Sequence, residues 1–189
     1  MEKIEELKIK LLRILKERAI VFKEVKLSSG KISNYYIDGK LITLDPKGIY
    51  LISRIIFEMI KEEDIDAIGG LTLGADPIVT GVSLISFIEN KPIYAFIVRS
   101  SQKGHGMEKL IEGNIKKGWN VAIVDDVVTT GSSLIKSIEA VESYGAIVKK
   151  VLCIVDREEG AKEEIEKRGY KLEAIFRKDD LINGMGKNR

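Results

Sequence analysis

The stretch Val121-Ala-Ile-Val-Asp-Asp-Val-Val-Thr-Thr-Gly-Ser-Ser133 decides how this chain folds. Val121 to Val124 is an unbroken apolar run of strand formers. Leu134, Ile135, Ile138 and Val141 then recur at helical spacing until Gly145 ends the helix. Strand, loop and helix follow in order. Between them, Thr129, Thr130, Gly131, Ser132 and Ser133 offer hydroxyls and unpaired backbone N–H groups at a helix N-terminus, where the dipole also favours an anion. Asp125 and Asp126 would repel a bare phosphate, but they can accept hydrogen bonds from sugar hydroxyls or hold a hydrated Mg2+ ion. The loop therefore suits a ribose phosphate.

Competing readings of the loop fail on its residues. A Walker A loop ends in Gly-Lys-Ser/Thr and a dinucleotide fingerprint needs GxGxxG after the first strand; neither is present. Phospho-receiver domains place their acid pair near the chain start, whereas some 120 residues precede this one. The plainest alternative is a helix N-cap after an ordinary buried strand. Two adjacent carboxylates argue against it, because they repel and rarely serve packing.

Outward from this unit, apolar runs alternate with helical patterns. Strands are expected at 65–71, 93–98, 121–125, 148–155 and 172–176, with helices between most of them. Asp45-Pro46 and Asp76-Pro77 each read as an N-cap followed by proline at the first helical position. This is the pattern of a parallel βαβ sheet, whose ligands bind beyond the carboxyl ends of the strands. Gly69 to Gly74, Arg99, Asp125-Asp126 and Asp156-Arg157 all fall at such ends. The 189 residues make one domain, large enough for a core without disulfides or metal staples. A net charge of +2, with acids and bases interspersed, gives no case for nucleic acid or membrane surfaces.

Ile4, Leu7, Leu11 and Ile14 form one stripe of an amphipathic N-terminal helix rather than a signal peptide. No apolar run approaches spanning length. Cys153 stands alone in an apolar strand and reads as a buried thiol, which fits a reducing cytoplasm. A charged fraction of 32% with Gln102 as sole glutamine hints at a thermophile. Arg99 to Lys109 has two glycines, three basic side chains, the lone His105 and no apolar period. It reads as a mobile loop suited to polyanions.

A hydrophobic strand, two acids and Thr-Thr-Gly-Ser-Ser resemble the phosphoribosyl pyrophosphate (PRPP) motif of type I phosphoribosyltransferases. Three further segments resemble the orotate-specific branch of that family. These are LSSGKISNYYIDGK (27–40), GGLTLGADPI (69–78) as the pyrophosphate-side loop, and RSSQKGHG (99–106) as the mobile loop. They occur in family order.

The resemblance implies an α/β type I phosphoribosyltransferase fold, with a mostly parallel five-stranded sheet flanked by helices. Residues 1–45 would form the N-terminal helix and a small hood contributing to the base site, and 46–177 the core. It implies transfer of phosphoribosyl from PRPP to orotate in pyrimidine biosynthesis, with Mg2+ bound mainly through PRPP and water. PRPP would meet Asp125, Asp126, Val127, Val128, Thr129, Thr130, Gly131, Ser132 and Ser133, the loop of Thr72, Leu73 and Gly74, and the cations Arg99, Lys103 and His105. Arg157 would pair with the orotate carboxylate, Thr129 would add a hydrogen bond, and Tyr35-Tyr36 would lie against the ring. Adjacent strand residues face opposite ways, so only one tyrosine is expected to touch the base. Asp156-Arg157 has a plainer reading as a surface ion pair.

A homodimer with shared mobile loops is also implied. Departures from the family are Ser100 where many members carry a second cation, Ser28 before the Ser-Gly of the N-terminal segment, and Leu73-Gly74 in place of a lysine-bearing stretch. These departures imply weaker PRPP binding unless Lys26, Lys31 or Lys40, nearby in sequence, compensate. The alternatives are a phosphoribosyltransferase for a purine, or a nucleotide-sensing regulator that has lost its chemistry. Retention of Arg99, Lys103 and His105 argues against the regulator.

Overall fold

The computed structural model describes residues 3–21, 25–26, 32–33, 35–100 and 110–182. Helix α1 (Ile4–Arg18) precedes four two-residue strands, β1 (Ile20–Val21), β2 (Val25–Lys26), β3 (Ile32–Ser33) and β4 (Tyr36–Ile37). Then come α2 (Lys40–Thr43), α3 (Pro46–Ile60), β5 (Ala67–Leu71), α4 (Asp76–Ile88), β6 (Tyr94–Val98) and β7 (Ile111–Gly113). The chain continues through β8 (Asn120–Val128), α5 (Ser132–Tyr144), β9 (Ile147–Asp156), α6 (Ala161–Glu166), β10 (Leu172–Arg177) and α7 (Lys178–Ile182). The small strands pair antiparallel, β1 with β4 and β2 with β3.

The main sheet has the order β10-β9-β8-β5-β6-β7. All five strands expected from the sequence are in it and pair in parallel. A sixth, β7, adds antiparallel to β6 at the edge, so the sheet has six strands rather than five. Its three residues are too few to show a periodic signal. From β5 the chain moves outward through β6 in one direction, and from β8 through β9 and β10 in the other. The reversal places a crevice between the carboxyl ends of β5 and β8, where open α/β sheets bind ligands.

Alternation along the central strands feeds two cores. Ala122 and Val124 of β8, with Leu152 and Ile154 of β9, face the cluster that includes α1, α3 and α4 residues. Val121, Ile123, Val151 and Cys153 face the other, against Leu134, Ile138 and Val141 of α5 and Ile165 of α6. Ile123 has no exposed surface, and its truncation to alanine would cost about 2–5 kcal/mol. Leu7, Leu11, Ile14 and Leu15 bury one stripe of α1, and Cys153 is fully buried.

Asp45 caps α3 as expected: one carboxylate oxygen accepts the Lys47 and Gly48 N–H groups at 3.1 and 2.8 Å, with Pro46 in the first turn. The expectation for Asp76 is corrected. Helix α4 begins at Asp76 itself with Ala75 as N-cap, because the Ala75 N–H already bonds to the Leu71 carbonyl and the chain turns helical one residue early. The Asp76 carboxylate instead accepts the Thr72 hydroxyl at 2.8 Å.

Candidate active site

The crevice exists because β8 outruns one neighbour. Its pairing with β5 stops at Gly69 opposite Ile123, whereas pairing with β9 continues to Val128 opposite Asp156. The strand runs to Val128, three residues beyond its expected end at 125, so Asp125 and Asp126 lie inside it, on the edge that β5 has left. Each is 7% exposed. The oxygen Oδ1 of Asp125 accepts the Asp126 N–H at 2.9 Å, and Oδ1 of Asp126 accepts the Val127 N–H at 2.7 Å.

Consecutive strand side chains diverge, yet both carboxylates reach Gly74. A Cβ there would stand 2.6 Å from Asp125 Oδ1 and 2.8 Å from Asp126 Oδ1. Only a residue without a side chain fits this approach. Gly39 closes the other side, where a Cβ would meet Asp126 Oδ2 at 2.7 Å. Lys40 follows it, with Nζ at 3.8 Å from Asp126 Oδ2. The Asp125 carboxyl is pushed up to about 7, chiefly by burial and next by the charge of Asp126. The Asp126 N–H and Lys40 pull the other way. Ligand hydroxyls donating to this pair would replace the hydration it has lost.

Beyond the acids the chain turns into α5. Gly131 takes the left-handed conformation at φ +80° as N-cap, and its carbonyl accepts the Ile135 N–H at 2.9 Å. The N–H groups of the first turn have no carbonyl four residues back, which suits a helix N-terminus beside the crevice to an anion. Thr129, Gly131, Ser132 and Ser133 line a cavity of about 340 Å³ together with Asp125, Asp126, Val127 and Val128. Tyr36, Ile37, Gly39, Lys40 and Arg157 complete it. The acids bring hydrogen-bond acceptors to this cavity and the turn brings donors.

Arg157 comes from just beyond β9 and is 2% exposed, so the surface ion-pair reading is wrong. Its backbone N–H bonds to the Val128 carbonyl at 2.9 Å, which ties this residue to the acid-bearing strand. Its guanidinium pairs with Glu159 at 3.0 Å and stacks on Tyr35, with Cζ 4.8 Å from the ring centroid. The two tyrosines divide as strand geometry requires: Tyr36 lines the cavity and Tyr35 backs the arginine.

Arg99 is elsewhere. It ion-pairs with Glu112 of β7 at 3.4 Å and borders a separate groove with Ser100, Leu110, Lys136 and Glu139. The Thr72 hydroxyl is turned to Asp76 and Leu73 is 62% exposed, while Gly74 of that loop is packed against the acids. Lys103 and His105 lie outside the described residues, as do Lys31 and Ser28. Gly39 and Glu159 join the site without having been assigned to it from the sequence, and Lys40, named there only as a nearby compensating cation, stands at Asp126.

Among the described residues no cluster of three or more His, Cys, Asp or Glu could hold a metal. Two hard carboxylates nonetheless fit Mg2+, which keeps its waters and takes one or two carboxylates together with substrate phosphates.

A sheet that reverses beside a buried acid pair, followed by an anion-binding turn, defines a phosphoribosyltransferase. The phosphoribosyl transferase domain matches residues 42–180. The chain is 48% identical to the orotate phosphoribosyltransferase of Aquifex aeolicus over 92% of its own length and 96% of the relative's. It is 43% identical to that of Pyrococcus horikoshii, over 92% and 91%. The crystal structure of Mycobacterium tuberculosis orotate phosphoribosyltransferase in complex with PRPP superposes with a TM-score of 0.77. That match has 36% identity and covers 93% of this chain and 98% of that one. The chain belongs to the orotate phosphoribosyltransferase family.

Proposed function

We propose that the chain joins orotate to PRPP with Mg2+, releasing pyrophosphate and forming orotidine 5′-monophosphate. The observation that carries this reading is a single cavity holding a sugar-binding acid pair, a phosphate-binding turn and a buried arginine.

The bond between the anomeric carbon and pyrophosphate breaks with positive charge building on the ribose and negative charge on the departing oxygens. Asp125 and Asp126 accept the ribose hydroxyls and stabilise the positive ring. The turn from Thr129 to Ser133 fixes the 5′-phosphate through backbone N–H groups and hydroxyls, so the anomeric carbon stands at a set distance from the base. Arg157 takes the orotate carboxylate, for which a planar guanidinium is suited, and Tyr36 and Thr129 border the base. Orotate attacks as an anion, so no general base is required of Asp125. Mg2+, when bound with PRPP, neutralises the pyrophosphate oxygens.

Lys40 supplies cationic charge at the acids, where Leu73 and Ser100 supply none. Arg99 borders a different groove from the acids, which supports a homodimer in which the segment bearing Arg99, Lys103 and His105 serves the neighbouring subunit. The exposed Leu73, Leu84, Phe87 and Ile88 on and beside α4 provide an apolar face for such an interface. The whole chain acts as one domain, with 1–45 contributing to the base side. No helix among the described residues is long and apolar enough to cross a membrane, and the buried lone thiol fits a cytoplasmic setting.

Spectrophotometric loss of orotate with PRPP and Mg2+ tests the reading, run beside adenine, guanine, hypoxanthine, xanthine and uracil. Orotate is expected to be consumed far faster than any of these; preference for a purine overturns the assignment. Arg157→Ala should raise KM for orotate by about 30-fold or more, the loss expected when one partner of a buried charge pair is removed, with PRPP binding nearly unchanged.

A further inference from the structure

Glu159 lies two residues from Arg157, and the intervening turn is folded to bring their side chains together. Asp156 Oδ1 accepts the Glu158 N–H at 2.8 Å, Glu158 adopts a left-handed φ of 56°, and Gly160 follows at φ +105°. The Arg157 and Ala161 N–H groups then bond to the Val128 and Thr129 carbonyls at 2.9 and 3.1 Å. This clamps both ends of the turn onto the phosphate-binding loop. Inside it, Glu159 Oε1 stands 3.0 Å from Arg157 Nε, with the side chains only 14% and 2% exposed. A non-glycine residue at positive φ is a costly way to build a turn, and this one delivers a carboxylate to the inner edge of the arginine.

We infer that Glu159 is a positioning residue for base selection, an inference that rests on Arg157 being the partner of the orotate carboxylate. The Glu159 carboxylate ion-pairs with the guanidinium beside Nε and the Tyr35 ring covers one face, so rotation of the guanidinium is restricted. The plane of the guanidinium is thereby held at the cavity wall, where a planar carboxylate can meet it. The pairing also compensates the buried charge. A planar carboxylate that meets two N–H groups at once gains more from a fixed guanidinium than a base bearing only a ring hydrogen at that position.

Calorimetric binding of orotidine 5′-monophosphate and uridine 5′-monophosphate tests this, because the two differ only in the carboxylate. Glu159→Ala should weaken the orotidine nucleotide by about tenfold, the scale of a misplaced contact, and leave the uridine nucleotide within about twofold. Glu159→Gln, which keeps an acceptor in place, should recover most of the loss. In turnover, KM for orotate should rise in Glu159→Ala with KM for PRPP unchanged. If the alanine variant does not fold, Glu159→Asp makes the same comparison, since it keeps the charge but withdraws it by one methylene.

Equal loss for both nucleotides, or no loss for the orotidine nucleotide, overturns the inference. Arg157→Ala is the separate control. If it fails to distinguish the two nucleotides, the assignment of Arg157 itself is wrong. If it distinguishes them and the Glu159 variants do not, only the role of Glu159 falls.

Discussion

Replacing Asp125 by Asn should make the ligand-free protein more stable while abolishing turnover, and the gain should depend on pH. Asp125 sits in the middle of the sheet, pressed by Gly74 and beside a second carboxylate, and its carboxyl rises from the ordinary 3.8 to about 7. Below the lower value the folded and unfolded chains are both protonated, and burial of the acid costs nothing. Between the two values the folded chain holds a proton that the unfolded chain has released, so stability falls as pH rises through this window. Above about 7 the penalty is complete. At 1.36 kcal/mol for each tenfold change in proton affinity, it reaches about 4 kcal/mol at most.

Asparagine cannot ionise, yet its carbonyl can still accept the Asp126 N–H that Asp125 receives at 2.9 Å. At pH 8 the variant should therefore unfold about 2–4 kcal/mol later than the parent, or roughly 5–15 °C higher for a chain of this size, and near pH 4 the two should coincide. Denaturant titrations and calorimetry at pH 4, 6 and 8 make the comparison. A variant no more stable than the parent at pH 8, or equally stabilised at both ends of the range, would refute the reasoning.

Gly74→Ala places a methyl group 2.6 Å from one site carboxylate and 2.8 Å from the other, so kcat/KM for PRPP should fall by at least about tenfold, with a lowered Tm. An alanine variant with unchanged PRPP kinetics would show that the acids have room to part. Lys40→Ala removes a charge that holds the Asp125 carboxyl down; PRPP affinity should fall more at pH 6 than at pH 8.5, and Lys40→Arg should restore it. A loss independent of pH would mean that Lys40 contacts PRPP without tuning the acids. Leu84→Glu with Phe87→Glu, at positions 60% and 73% exposed, should convert the proposed dimer to monomer in sedimentation, with activity falling in parallel. Persistence of a dimer would place the interface elsewhere.

What the sequence disclosed follows from where the signals are local. The run Val121 to Val124, the spacing of Leu134 to Val141 and the Asp45-Pro46 cap are all determined within one element, and the structure has each of them. The full length of β8 was hidden because Asp125 and Asp126 read as the end of an apolar strand. They remain strand because β9 keeps pairing with them while β5 does not. The three-residue β7 exists only through its partner β6.

At the site, the acid pair and the turn were legible as chemistry, and Arg157 through resemblance. Gly74 was assigned to the site through the same resemblance, but its close approach to the acids and the part played by Gly39 were not legible, since they arise from three segments meeting, 39, 74 and 125–126, that no spacing in the chain connects. In Asp156-Arg157-Glu158-Glu159 the charges are plain, but only the left-handed turn at Glu158 determines which glutamate faces inward.

The buried thiol of Cys153 gives this molecule an internal clock. It stands in register with Asp125 on the adjacent strand. Burial first, and the charges of Asp156, Asp125 and Asp126 after it, hold the thiol well above its usual ionisation range. Alkylating reagents need a thiolate they can reach, so labelling at this position proceeds through openings that lift the α5 and α6 layer from the sheet or unfold the chain. PRPP at about one hundred times its Kd adds about 2.7 kcal/mol to global stability, which slows labelling about a hundredfold if such openings are global and leaves it untouched if they are local. The labelling rate of one cysteine thus measures how often the covered face of the catalytic sheet is laid open.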